Sequence, residues 1–218
     1  KKVYKEKPES EIFFQDKSFI KNFKNRKFIA ICIKDDNYSK IKPISSQNCA
    51  DINTYRETID LLIEKDFSVI RIGEPLMVEF NYTHPNFYDF TKNKNYYKLF
   101  FNAVQHSQFY MGTPGSHTLI PEYFQKTKVI SNSCDFLYLN HSFSYNNLNM
   151  FKSCFSLVQK KILSFSEIFQ NTDTLRIDRR TKKDFIFLNN SGLDILNLTK
   201  YFLTKKDNLD ENHKRNLS

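Results

Sequence analysis

Apolar runs of strand length alternate along this chain with segments whose apolar residues recur at helical spacing, and that alternation most restricts how it can fold. Phe28-Ile29-Ala30-Ile31-Cys32-Ile33 is continuously apolar, the pattern of a strand covered on both faces. Ile52, Tyr55, Ile59, Leu62 and Ile63 follow at helical spacing, with Asp51 or Asn53 placed to cap. Phe67-Ser68-Val69-Ile70-Arg71-Ile72 predicts a second strand, ended by Gly73 and Pro75. After a long loop containing Pro85, the spacing of Tyr96, Tyr97, Phe100, Phe101 and Val104 predicts a second amphipathic helix. Strands at 109–111 and 128–131 flank a predicted helix near 117–125. Strands alternating with helices of three to four turns imply βαβ units and a parallel sheet, so the fold class is α/β.

Beyond about residue 133 the pattern is less regular. Met150 to Leu163 reads as a helix, Phe185 to Leu188 as a strand, and Ser191 as the cap of a last helix running to about Leu203. Residues 1–26 are charged and contain Pro8, and read as a linker or peripheral segment. Residues 27–204 read as the folded domain, and 205–218 as a charged, frayed tail. The first residue is lysine rather than methionine, which leads us to expect a longer parent chain.

The net charge is +9, but Lys, Asn, Ile, Phe and Tyr are all abundant. An AT-rich coding bias yields that composition, so the lysine excess does not by itself require a nucleic-acid partner. No basic stripe interleaves with aromatics as in a known module, and nucleic acid is not an expected partner. A mildly basic face suits an anionic membrane surface or an anionic lipid-linked substrate. The four cysteines, Cys32, Cys49, Cys134 and Cys154, show neither CxxC nor metal-ligand spacing. They read as reduced thiols of a cytosolic protein, with no metal expected. No apolar run reaches membrane-spanning length.

Ligands of parallel α/β sheets bind outside the carboxyl ends of the strands. Here those ends carry Lys34-Asp35, Arg71 to Glu74, Gly112 to His117, and Ser131-Asn132. Two of only four glycines stand in Gly112-Thr113-Pro114-Gly115-Ser116-His117, between a predicted strand and a predicted helix. Such a turn can present backbone N–H groups to an anion. It also serves as a plain strand-to-helix connection in any α/β domain. No Gly-Lys-Ser/Thr follows it, and the third glycine of the dinucleotide fingerprint is missing. Arg71 carries a planar fork suited to phosphate oxygens, or else forms a structural ion pair with Glu74 or Asp35. Lys34 is a second candidate cation. Asp35 could hold either cation or bind a hydroxyl. His117 could touch phosphate or act as a cap, and Asn132 could contact a ribose or base edge or simply shape a turn.

Several segments, in order, carry a resemblance. They are Ile33-Lys34-Asp35-Asp36-Asn37-Tyr38, Ser46-Gln47-Asn48, Asp51 with Tyr55, Val69-Ile70-Arg71-Ile72-Gly73, Phe109-Tyr110-Met111-Gly112-Thr113 and Lys128-Val129-Ile130-Ser131-Asn132. Lys161 to Ile168 and Leu188-Asn189-Asn190-Ser191 complete the series. Over residues 27–204 the chain resembles a bacterial family of glycosyltransferases encoded among surface-polysaccharide and lipopolysaccharide genes. The resemblance implies a Rossmann-like parallel sheet flanked by helices, one half of a GT-B-type architecture. It implies transfer of a sugar from a nucleotide-sugar to a glycan or lipid-linked acceptor, with no cofactor beyond that donor and no metal. It further implies a cytoplasmic setting, at or near the inner face of the membrane, and an acceptor domain upstream that would supply the general base. The donor phosphates would fall to Arg71, Lys34, Gly112, Thr113, Gly115 and Ser116, and the sugar or base to Asp35, Glu74, His117 and Asn132.

The departures matter as much. The family pattern has arginine where this chain has Lys34 and Gln47, and Ser-Gly or Ser-Ser where Pro114-Gly115-Ser116 stands. Lysine keeps the charge but loses the bidentate fork, and glutamine loses the charge. A catalytically degenerate nucleotide-binding or interaction module therefore stands as the alternative. An unrelated flavodoxin-like or Rossmann-like protein is a third reading. The lack of a glycine-rich turn after the first strand counts against dinucleotide binding.

Overall fold

Five consecutive apolar residues form the central strand β1 (Phe28–Cys32), and all five are buried. This computed structural model describes residues 17–23, 25–35, 37, 48–134, 147–170 and 184–215. Among them, β1 pairs in parallel with β2 (Ser68–Arg71) on one side and with β4 (Tyr110–Gly112) on the other. β3 (Phe87–Asp89) lies outside β2, while β5 (Lys128–Ser133) and β6 (Leu148–Phe151) continue beyond β4, all in parallel. The order is β3-β2-β1-β4-β5-β6, which is the strand order of the Rossmann fold.

The period of two in strand side chains splits the core into two layers. Phe28, Ala30, Cys32, Ile70, Tyr110 and Ile130 face one way. Helix α1 (Lys17–Phe23) brings Phe19 and Phe23 to that side, and α3 (Tyr96–His106) brings Leu99, Phe100, Ala103 and Val104. Ile29, Ile31, Ile33, Val69, Phe109, Met111 and Val129 face the other way. There they meet the short 3-10 turn Ile52–Tyr55, α2 (Arg56–Glu64) and α6 (Gly192–Arg215). The shorter α4 (Leu119–Tyr123) and α5 (Phe165–Gln170) lie between α3 and α6 in sequence. A parallel sheet covered on both faces accounts for the unbroken apolar run of β1. Asp51 caps the first of these turns, its Oδ1 accepting from the Asn53 amide at 2.9 Å.

Three expectations are corrected. The segment 150–163 is not a helix. It supplies the end of β6, then β7 (Ser153–Ser156) and β8 (Lys161–Ile162). β7 is the middle strand of a small antiparallel sheet, order β8-β7-β9, where β9 is Phe185–Leu188. Pairing with a strand some thirty residues further on overrode the local spacing. The loop containing Pro85 holds the edge strand β3. Lys17–Phe23, within the stretch read as a linker or peripheral segment, is a helix that packs Phe19 (2% exposed) and Phe23 (6%) into the core, where each ring edge meets Phe28. The last helix continues past Leu203 to Arg215. Its start is as expected: Ser191 Oγ accepts from the Asp194 amide, and Asp194 Oδ2 accepts from the Ser191 amide, a reciprocal cap. No helix among the described residues is long and apolar enough to cross a membrane.

Candidate functional site

Chain connections leave β1 toward β2 on one side, and the later strands are laid down on the other. The carboxyl ends of β1 and β4 therefore flank the point where strand order reverses, the usual ligand crevice of such a sheet. Cys32 and Gly112 are register partners there. A Cβ on Gly112 would lie 2.5 Å from the Cys32 carbonyl oxygen, so only glycine lets the two strand ends approach this closely. Thr113, fully buried, ties the exits together. Its amide donates to the Cys32 carbonyl at 3.2 Å, and its Oγ1 accepts from the Lys34 amide at 3.0 Å.

Those bonds direct the Lys34 side chain, 4% exposed, across the turn after β4. Gly115 adopts φ +153°, and a Cβ placed on it would stand 1.9 Å from Lys34 Nζ. The lysine head thus packs on the glycine α-carbon. Its neighbour His117 bonds through Nε2 to the Thr113 carbonyl at 3.0 Å. A carbonyl only accepts, so this nitrogen carries the proton and Nδ1 keeps its lone pair. Burial, reinforced by the Lys34 ammonium, pushes His117 down to about 3 from its ordinary value of 6.5. The imidazole is neutral at physiological pH.

A cavity of about 230 Å³ opens beside this cluster, between the strand ends and the start of α3. Lys34, Glu74, Ser116 and His117 line it together with Cys32, Gly73 and Met77. Tyr96, Tyr97, Phe100, Phe101 and Ile120 form its apolar wall. Tyr96 and Tyr97 lie with ring centroids 4.0 Å apart, and Tyr97 is 63% exposed. Aromatic walls with a few convergent polar groups are the usual make-up of a small-molecule site. Burial pushes the Cys32 thiol up to about 12, so it serves as floor rather than nucleophile.

The structure gathers Lys34, Glu74, Ser116 and His117 at one cavity, with Gly112, Thr113 and Gly115 shaping the turn behind them. It places three other candidates elsewhere. Arg71 is wholly buried: one terminal nitrogen meets Asp89 Oδ2 at 2.8 Å, and the other donates to the Val78 carbonyl at 2.7 Å and lies 3.9 Å from Asp35. Asp35, 2% exposed, accepts from the Val78 amide at 2.6 Å and the Asn37 amide at 3.1 Å. The pair thereby holds the 73–78 loop from both sides of Val78. Asn132 is fully buried at φ +60°, its amide group bound to Tyr55 and Asn190. Gln47 and Asp36 lie outside the described residues.

Sequence reasoning missed the aromatic wall. Tyr96, Tyr97, Phe100 and Phe101 were legible as an amphipathic face, but one helical stripe can both join a core and line a cavity. The adjacent tyrosines at the helix start were the available signal, since their hydroxyl ends favour a wet boundary.

No protein-family model matches the chain, and no curated protein matches it. Among solved structures it is similar in part to the dodecameric iron-containing heptosyltransferase TibC in complex with ADP-D-beta-D-heptose. The identity is 14%, over 51% of this chain and 28% of that one, with a TM-score of 0.36. TibC from enterotoxigenic E. coli H10407, a bacterial iron-containing dodecameric glycosyltransferase, gives 14% identity over 48% and 26%, with a TM-score of 0.34. The chain spans about a quarter of the length of these structures. Likeness of that extent carries no argument about activity, and the fold assignment rests on strand order and register.

Proposed function

We propose that this chain is the nucleotide-sugar-binding half of a glycosyltransferase that acts on a bacterial surface glycan or lipid-linked acceptor. The observation that carries the reading is the packing of the Lys34 ammonium on Gly115 at the reversal point of the sheet, where Lys34 borders an aromatic cavity. A cation held beside a glycine turn suits the phosphates of a nucleoside diphosphate. When the donor breaks, negative charge grows on the departing phosphate, and a preorganised cation there is worth several kcal/mol in a water-poor site. Lys34 supplies that charge, and Ser116 offers a hydroxyl. The aromatic wall stacks on a ring of the donor, and Glu74 accepts from its hydroxyls. Arg71 enters as a positioning residue, through the 73–78 loop that carries Glu74. The donor is a substrate; neither metal nor separate cofactor is part of the proposal.

A module that holds nucleotide without turnover is the second reading. It is favoured by the burial of Arg71, which leaves Lys34 as the cation lining the cavity among the described residues.

Calorimetric titration with GDP, UDP, ADP and CMP tests the proposal, with Lys34→Met as the variant. Micromolar binding of one nucleotide, weakened about tenfold or more without the charge, supports it. No binding by folded protein overturns it. Release of nucleoside diphosphate from the matching nucleotide-sugar, supplied with membrane-derived acceptor, separates the enzyme from the module.

A further inference from the structure

His117 meets the cavity with its ring already oriented. Its Nε2 donates to the Thr113 carbonyl at 3.0 Å, which leaves Nδ1 with a lone pair. Thr113 is fully buried and bonded to both strand exits, through its amide to Cys32 and its Oγ1 to Lys34. The anchor of the imidazole is therefore rigid. Two rings flank it: Phe100, edge-on at 78° with centroids 6.5 Å apart, and Tyr110 at 6.3 Å. Among the described residues nothing donates to Nδ1. Nor is it one of the buried polar atoms that lack a partner, so it is open to the cavity that His117 lines.

A lone pair at that place sorts the groups of a ligand. A phosphate oxygen at neutral pH also presents lone pairs, and the two repel. A hydroxyl or an N–H donates to it. Protonation would turn Nδ1 into a donor, but burial and the Lys34 ammonium hold His117 down to about 3. Glu74 lines the same cavity, and a carboxylate too only accepts. The remaining wall is largely aromatic. A hydroxylated, uncharged ring satisfies acceptors and apolar faces together, which a phosphate does not.

Position decides which hydroxylated ring this is. A Cβ on Gly115 would lie 1.9 Å from Lys34 Nζ and 3.0 Å from His117 Cε1, so lysine and histidine border one point of the turn. In a nucleoside diphosphate-sugar the transferred sugar is bonded directly to the outer phosphate, whereas the base stands a ribose away. We propose that His117 is a specificity-determining residue whose Nδ1 accepts a hydrogen bond from a hydroxyl of the transferred sugar, the cavity holding that sugar while Lys34 holds the phosphates. The inference rests on the nucleotide-sugar reading and assigns its two ends to different side chains.

Titration calorimetry of the full chain tests it, with three ligand pairs: UDP and UDP-glucose, GDP and GDP-mannose, ADP and ADP-glucose. His117→Leu removes the acceptor. His117→Gln keeps an amide that donates to Thr113 and a carbonyl oxygen that accepts. For the pair that binds, His117→Leu should weaken the nucleotide-sugar about fivefold and leave the free diphosphate unchanged, and His117→Gln should restore the sugar-bearing ligand. The free diphosphate controls for damage to the turn, because Lys34 is shared by both ligands. Equal loss for both members of the pair overturns the inference, since the histidine then contacts ribose or base or only shapes the turn. So does nucleotide-sugar binding that His117→Leu leaves intact. Both outcomes leave the nucleotide reading standing. Failure of folded protein to bind any of the six ligands overturns that reading and this inference together.

Discussion

Asn132 and Asn190 hold each other through crossed hydrogen bonds: the Asn132 amide donates to Asn190 Oδ1 at 2.6 Å, and the Asn190 amide donates to Asn132 Oδ1 at 2.8 Å. The clasp joins the end of β5 to the residue before the capped start of α6. Asn132 Nδ2 also donates to Tyr55 Oη at 3.1 Å, and that hydroxyl lies 2.6 Å from Ser131 Oγ. Asn132 takes φ +60°, which asparagine tolerates better than most residues. Asn132→Ala removes both side-chain bonds, strands the buried Asn190 amide and puts alanine in the left-handed region. The expected loss is about 2–4 kcal/mol of unfolding free energy, read by urea denaturation. A loss below about 0.5 kcal/mol would show that the clasp contributes nothing net.

Arg71 sits in a comparable trap of buried partners. Arg71→Leu leaves Asp35 and Asp89 without their cation and the Val78 carbonyl without its donor. It should destabilise by about 3–5 kcal/mol, the range for breaking a buried pair by removing one partner. Arg71→Lys should recover only part of this, because lysine cannot reach Asp89 and Val78 as a fork does. Denaturant midpoints of the two variants check the order. If Arg71→Leu unfolds like wild type but loses nucleotide, the guanidinium contacts ligand directly after all.

The reason Arg71 looked like a ligand contact is instructive. Arg71 and Asp89 are register partners of β2 and β3. β3 has only three residues and lies in the long loop that contains Pro85, below the length at which alternation is readable. With the strand hidden, its aspartate could not be matched to the arginine. The partner of Asn132 was hidden in the same way, since Asn190 lies 58 residues away and only the fold joins them. The layers of the large sheet were readable through β1, β2, β4 and β5, each built on a short apolar run, and through α2 and α3, each periodic. Gly112 and Gly115 were readable because glycine is scarce here. Whether a polar strand-end side chain points into a cavity or back into the core depends on partners far along the chain, and no local pattern encodes that.

Gly115 offers a separate test of the Lys34 geometry. Gly115→Ala places a methyl group where Lys34 Nζ lies and forces alanine to φ +153°. The side chain must move away from the cavity edge. Stability should fall by about 1–3 kcal/mol, and nucleotide affinity should fall with it. Lys34→Met keeps the length of the side chain without its charge, so it should reduce affinity with a smaller stability change. Thermal melts paired with titration calorimetry separate the two. Equal affinity in both variants and wild type would remove Lys34 from the phosphate site.

His117 makes the acid response of this fold predictable. Its folded value is lowered to about 3 from an ordinary 6.5, first by burial and then by the Lys34 ammonium. The unfolded chain therefore binds a proton at a pH where the folded chain does not. Below about 6.5 that difference favours unfolding, so the contribution is complete above 6.5 and is lost progressively as pH falls toward 3. Glu167, held near 2 by Lys161 and Ser164, acts in a lower window, between its ordinary 4.5 and about 2. The two are separable because only the histidine acts between about pH 6.5 and 5. In His117→Gln the amide can still donate to the Thr113 carbonyl, but no group titrates. The difference in unfolding free energy between wild type and this variant should shift steadily against the wild type as pH drops from 6.5 to 5. Urea denaturation at a series of pH values measures it, and the subtraction removes the other histidines. A pH-independent difference across that window would mean that His117 titrates alike in both states and that the Lys34 ammonium does not bear on it.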